Sequence, residues 1–418
     1  MDPSDPLAPA PPEPPKPVVP PLRLREPLPA AVDSAAGLAR VIDAVCAGQG
    51  PVALDAERAS GYRYSPRAYL VQLRRAGSGT ALIDPIPFAD LSALNEAIGD
   101  SEWILHAATQ DLPCLKALGM YPRSLFDTEL AGRLLNLPRV GLASLVDSLL
   151  GFSLAKEHSA VDWSTRPLPT PWLEYAALDV EALLELRAAM IERLEEAGKL
   201  EWAHEEFEAL TRFEGPPVRT QPWRRTSGIN RVRGRRNLEI LRQLWIARDN
   251  LARSSDIAPG RLLPDASLVE VAAAGPPDRR ALRSQRALRH RVARRHLDVW
   301  TSAFETAMGV PEADLVPIAA SPEGPPPART WSDKNPAAAA RLAACRLVIT
   351  ELCEVHDLPA ENLLTPDLVR RLAWEPPVPL GSEQVAAELR AGGARPWQIA
   401  LTVERLTAAL DADDDEEP

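Results

Sequence analysis

Val52-Ala-Leu-Asp-Ala-Glu57, Ala68-Tyr-Leu-Val-Gln-Leu73 and Gly79-Thr-Ala-Leu-Ile-Asp84 are the runs that decide the fold of this chain. Each is short, apolar for most of its length and rich in residues that suit a strand. Only the turn residues Ala76-Gly-Ser-Gly79 separate the last two, so those strands pair as an antiparallel hairpin. Trp103-Ile-Leu-His106 is a further strand candidate, after a helical stretch near 90–98. From 111 to 212 the pattern turns mostly helical, with Leu142, Leu145, Val146, Leu149 and Leu150 at helical spacing. Strands that give way to alternation with helices predict a mixed α/β sheet flanked by helices over 33–212.

Outward from that segment the character changes. Residues 231–312 and 329–410 carry no strand pattern. Short amphipathic stretches such as Leu238–Ala247, Pro366–Trp374 and Trp397–Leu410 predict two all-α domains of similar size. Proline- and glycine-containing linkers at 213–230, which is basic, and at 313–328 set these domains apart. Twelve of the 43 prolines fall in residues 1–30, which hold no Phe, Tyr or Trp. Such a segment cannot bury enough apolar surface to offset its ordering entropy, so 1–32 is expected to be a disordered arm. Residues 411–418 read as a short acidic tail.

The four cysteines, Cys46, Cys114, Cys345 and Cys353, form no CxxC pair and are too sparse for a disulfide framework. That points to a reducing compartment and away from a cysteine-based zinc site. There is no apolar run long enough to span a membrane and no signal-peptide pattern, so a soluble, cytoplasmic protein with no membrane partner is expected.

The net charge of −11 argues at first sight against a nucleic-acid partner. Its distribution argues the other way. Residues 219–300 hold nineteen arginines, no lysine and seven acids, a local charge of +12, which leaves −23 for the remainder. Planar guanidinium groups suit phosphate, and a basic stripe is the footprint of a nucleic-acid contact. Arg233, Arg235 and Arg236 in one cluster, and Arg283, Arg286 and Arg294 in the other, are the candidate contacts.

Chemistry is concentrated in carboxylates of the α/β segment. Asp55 and Glu57 are two apart on a strand and so project from one face. Asp111 stands near the start of a helix that follows the Trp103–His106 strand. Tyr175 and Asp179 are four apart on a helix expected over 171–186. Singly, each reads as a solvated surface acid; their order and context within one domain make them a set. Four converging carboxylates cannot all ionise without compensation, and hard divalent cations with oxygen ligands supply it. Two such ions about 4 Å apart can activate a water and stabilise a leaving oxygen, as phosphodiester hydrolysis requires.

These same residues carry a family resemblance. Val52–Glu57 with the Tyr69-Leu-Val-Gln-Leu73 strand and Leu82-Ile-Asp-Pro85 resembles the first exonuclease motif of the ribonuclease D family. His106-Ala-Ala-Thr-Gln-Asp-Leu112 is similar to the second. Asp162-Trp-Ser-Thr-Arg-Pro-Leu168 followed by Tyr175-Ala-Ala-Leu-Asp179 is similar to the third. The resemblance implies a ribonuclease-H-like exonuclease domain followed by two helical domains of the HRDC (helicase and RNase D C-terminal) kind. It further implies a metal-dependent 3′-to-5′ exoribonuclease of the DEDD type, tyrosine subclass, using two Mg²⁺ or Mn²⁺ ions. Asp55, Glu57, Asp111 and Asp179 match its metal-binding carboxylates, and Tyr175 matches the tyrosine that helps position the attacking water. Ala56 stands where the family usually has threonine, and Ala160-Val161 replaces a basic and a small hydroxyl residue.

The resemblance also implies trimming of the 3′ ends of tRNA and other stable RNA precursors, releasing nucleoside 5′-monophosphates; a monomer is expected. His106, Trp163 and Arg166 are candidate contacts to that RNA, with a structural histidine as the competing reading of His106. Asp127, ahead of a helix, reads as an N-cap. Two other functions fit the same residues: a DNA exonuclease of the same fold, and an RNA-binding adaptor in which the arginines work and the acids are idle.

Overall fold

The computed structural model describes residues 19–154, 160–319 and 324–411. Six strands form one mixed sheet: β1 Ala31–Val32, β2 Gln49–Arg58, β3 Ala68–Ala76, β4 Gly79–Ile83, β5 Trp103–Leu105 and β6 Leu125–Asp127. Their spatial order is β1-β4-β3-β2-β5-β6. The β3–β4 hairpin is antiparallel as expected, β2 is antiparallel to β3, and the pairs β1/β4, β2/β5 and β5/β6 are parallel. Because β3 lies inside the sheet with both faces covered, Ala68 to Arg74 are buried without a break. That explains why β3 lacks polar alternation. β1 and β6 were not legible in the sequence; at two and three residues they carry no periodicity of their own.

The arm expected to be disordered over 1–32 is ordered where it is described. Pro20 and Leu22 exchange backbone hydrogen bonds with Ser153, and Leu24 and Leu28 pack against the cluster around Trp163. Arg25 pairs with Glu181 and Glu185, and Ala31–Val32 adds the edge strand. Composition alone misses this because the apolar surface that holds the segment belongs to residues far along the chain. Residues 1–18 of that arm, and all but the first residue of the acidic tail, lie outside the described residues.

The single helix expected over 171–186 is two, Thr170–Glu181 and Leu183–Glu196, broken at Ala182. The first packs on β2, β3 and β4, the second on β2 and β5. The break lets the chain pass from one part of the sheet to the next. It also turns Glu181 inward to Arg74 at 3.3 Å.

Both helical segments are all-α, but they attach differently. The middle one has its own core, built on Leu241, Leu244, Leu268, Trp300 and Phe304. That core also claims Trp223, from the expected 213–230 linker, while Leu315 is buried and its carbonyl accepts from Arg235. The linkers on both sides are therefore partly domain. Polar contacts dock this unit on the β2–β3 loop: the Tyr64 hydroxyl donates to Asp249 at 3.1 Å, Ser65 N–H donates to Asp256 at 2.9 Å, and Arg261 covers the Tyr62 ring. The C-terminal segment instead shares a continuous buried core with the exonuclease domain. Trp397 stacks on Trp202 at 4.8 Å and donates its indole N–H to Glu206. Among the described residues no helix is long and apolar enough to cross a membrane.

Candidate active site

β2 outruns its parallel neighbour. β5 pairs with it only at Val52 and Ala53, so the strand continues past β5 with Asp55 and Glu57 bordering a cavity of about 430 Å³. The helix Thr170–Glu181 crosses the same face and brings Asp179 and Tyr175 to that cavity. Carboxylate oxygens of Asp55, Glu57 and Asp179 lie within 4.8 Å of one another. Asp111, 5% exposed, also lines the cavity and hydrogen-bonds Asp55. The Tyr175 hydroxyl donates to Asp179. Residues 55, 57, 111, 175 and 179, spread over 125 positions of chain, thus meet in one place.

Asp111 is aimed by Asp127. That buried carboxylate caps the following helix through Glu129 and Leu130 N–H, in accord with the N-cap reading. It also accepts from Ala107 and Ala108 N–H at 3.1 and 2.8 Å. Those two bonds hold Ala107 in the left-handed region at φ 57° and start the short turn that ends at Asp111. His106, at the end of β5, lines the cavity, with Nδ1 2.9 Å from the Thr128 hydroxyl. Burial pushes its pKa down to about 4, so the ring is neutral near pH 7.

The electrostatics are those of crowded acids. Burial, and then the neighbouring carboxylates, push Glu57 up to about 10. Burial is likewise the main cause of the upward shifts of Asp55, Asp111 and Asp179, and it moves Tyr175 up as well. Arg58, with Nη2 3.7 Å from Asp111, opposes them in part. An all-oxygen donor set drawn from three elements, held at the cost of buried repulsion, suits a hard divalent cation.

Other sequence candidates are placed differently. Trp163 is fully buried against Trp172 and Tyr175, so its ring is not open to a base. Arg166 commits its donors to Asp84 and to the carbonyls of Tyr69, Trp163 and Thr165; it locks a loop. Arg235 and Arg236 bind carbonyls of residues 307–316, the end of the helix Leu297–Gly309 and the chain beyond it. These four are structural. An arginine's sequence neighbourhood does not reveal that backbone carbonyls from elsewhere will take its donors. Arg233 is exposed; Arg283 is exposed but paired with Asp298. Arg286 and Arg294 are exposed, with no ion pair among the described residues. Two polar cavity residues were not among the sequence candidates, Arg58 and Gln110, although both directly adjoin a motif carboxylate.

Comparison with known proteins agrees with this geometry. Residues 29–195 match the family described as 3′-5′ exonuclease, 237–303 the HRDC domain, and 324–410 the 3′ to 5′ exonuclease C-terminal domain. The last helical segment thus matches a different family from the HRDC domain. Ribonuclease D of Gluconacetobacter diazotrophicus is 31% identical over 333 residues, 78% of this chain and 81% of its own. The chain belongs to the ribonuclease D family. Among solved structures, a protein from Bifidobacterium adolescentis is similar at a TM-score of 0.85 and 38% identity, over 93% of this chain and 98% of that one. Ribonuclease D of Escherichia coli, described as an exoribonuclease involved in structured RNA processing, is similar at 0.66 and 28%, over 92% and 99%. The protein is a 3′-5′ exoribonuclease with an exonuclease domain on a mixed sheet, an HRDC domain and a helical C-terminal domain. The family's chemistry is metal-dependent, and this chain has the acidic cluster for it.

A stability test follows from the raised carboxylates. The folded site holds protons that the unfolded chain releases, so metal-free stability is greatest below the unfolded carboxyl range near 4.5. It falls as pH rises toward the folded value of about 10 for Glu57. In thermal denaturation with EDTA between pH 5 and 9, Tm of the wild type declines more steeply than that of Glu57→Gln. Parallel curves would contradict the shift.

Proposed function

We propose that this ribonuclease D-family enzyme trims the 3′ ends of tRNA and other stable RNA precursors in the cytoplasm as a monomer, releasing nucleoside 5′-monophosphates. Two Mg²⁺ or Mn²⁺ ions would be held by Asp55, Glu57, Asp111 and Asp179. The observation that carries this reading is the convergence of half-buried Asp55 and Glu57 and buried Asp111 and Asp179 on an open cavity at the end of β2. Bound divalent ions would supply charge to activate a water and to stabilise the departing 3′ oxygen. The protein's own groups do the rest. Tyr175, hydrogen-bonded to Asp179, orients the water; its pKa lies above the ordinary phenol value, so it acts as a neutral donor. His106, neutral and fixed by Thr128, shapes the cavity wall.

RNA contact beyond the cavity is assigned to the HRDC domain, where Arg280, Arg286, Arg291, Arg294 and Arg295 are exposed without an ion pair among the described residues. The E. coli relative's described role in structured RNA processing supports a structured substrate for this chain too.

The test is a product analysis on a 3′-extended tRNA and on RNA and DNA oligonucleotides of one sequence, with Mn²⁺ or with EDTA. Stepwise 3′ shortening to 5′-monophosphates on RNA, at least tenfold faster than on DNA and absent in EDTA, is expected. Equal or faster DNA cleavage would move the polymer to DNA; undiminished cleavage in EDTA would exclude the metal reading.

A further inference from the structure

Arg58 is the one permanently cationic side chain among the described residues that line the carboxylate cavity. It follows Glu57 directly, where the β2–β3 ladder slips by one residue: Glu57 pairs with Leu70 but Arg58 with Ala68. The extra residue of this slip is Tyr69 on β3, and on β2 the residue adjacent to Glu57 lines the same cavity. Its guanidinium lies 3.7 Å from Asp111 Oδ1 and 3.5 Å from Gln110 Oε1. Both contacts are long, and neither is the bidentate fork that holds an arginine in place. The side chain is 27% exposed, so it can turn without unpacking the core.

Charge accounting sets its task. Four carboxylates and two divalent ions cancel, so among the described residues that line the cavity only Arg58 is left to attract the phosphodiester that must enter. Arg58 supplies a unit of positive charge there. Once a cation takes Asp111, the attraction that draws Arg58 there is gone and repulsion replaces it. We propose that Arg58 is a two-position residue: it partners Asp111 in the metal-free site and binds the terminal phosphate of the RNA in the metal-loaded one. The proposal rests on the metal reading above and adds to it a phosphate-binding residue with a metal-gated position.

The two roles predict opposite effects of one substitution. Arg58→Gln removes a cation that competes for Asp111, so Mn²⁺ titrated calorimetrically without RNA binds several-fold tighter than to the wild type. With Mn²⁺ saturating, adenosine 5′-monophosphate binds at least about tenfold more weakly, as loss of a charge-assisted contact requires. Binding of adenosine, which lacks the phosphate, is unchanged. Arg58→Lys, which keeps the charge but not the fork, falls between, and its unchanged Tm reports an intact fold. The proposal is overturned if Arg58→Gln keeps the wild-type preference for the monophosphate over adenosine, or if metal and monophosphate affinities fall together. A wild type that binds no Mn²⁺ would instead overturn the metal reading itself, so the two failures are distinct.

Discussion

Asp179→Asn is expected to lower kcat at saturating Mn²⁺ by at least about 10³-fold, while raising Tm of the metal-free protein. The first effect follows from the charge a bound cation contributes in the transition state, which is worth several kcal/mol, with each 1.36 kcal/mol a factor of ten. An amide offers a neutral oxygen where a carboxylate offers a charge, and it holds a hard cation far less well. The second effect follows from the empty-handed state of the site. Asp179 is 9% exposed, and burial and then Asp55 push its pKa well above the ordinary range. Asparagine removes a like charge from the cluster, fills the same volume and still accepts the Tyr175 hydroxyl. Each kcal/mol of relieved repulsion is worth roughly 2–4 °C in a domain of this size. Steady-state kinetics with Mn²⁺ and calorimetry in EDTA test the pair. Retention of a tenth of the activity, or a lower Tm without metal, would show that Asp179 is a structural acid.

The second large effect concerns the HRDC domain. Replacing Arg280, Arg286, Arg291, Arg294 and Arg295 together with glutamine is expected to remove about 100-fold of the fall in RNA affinity between 50 and 200 mM salt. The logarithm of single-strand affinity falls with the logarithm of salt with a slope of about −0.7 per phosphate neutralised, so five contacts contribute a slope near −3.5. Between 50 and 200 mM that amounts to about two orders of magnitude, which the variant lacks. All five side chains are exposed, so the fold and the cleavage rate of a bound dinucleotide are unaffected. Fluorescence anisotropy with a catalytically inactive background, repeated across salt, gives the slope directly; an unchanged slope would take this face out of RNA recognition. Arg235 and Arg236 are left out because their donors already hold carbonyls and their loss would unfold the domain's end.

The first and third exonuclease motifs are local. Asp55 and Glu57 share a face because a strand repeats every two residues, and Tyr175 and Asp179 do because a helix returns after four. The spacings are therefore legible wherever the elements are. The same locality fails for Trp163, Arg166, Arg235 and Arg236. Each looks like a ligand-facing side chain in its own stretch, and each is consumed by groups up to 97 positions away. It fails for residues 19–32 too, whose proline-rich composition says nothing about the surface that receives them. Arg58 and Gln110 adjoin motif carboxylates in sequence, but only the folded cavity shows that their side chains belong to the site.

What the sequence by itself determined is the longer strands, the division into an α/β domain and two helical segments, the motif carboxylates and the basic middle of an acidic chain. These rest on periodicity, composition and charge, which are properties of contiguous residues. Only the tertiary structure decided which arginines are spent on backbone carbonyls and which face solvent. It also decided that β5 stops short of Asp55 and so opens the cavity, and that Arg58 stands among the acids. Those outcomes depend on desolvation and pairing between residues distant in sequence, and such energies exist only once the chain has folded.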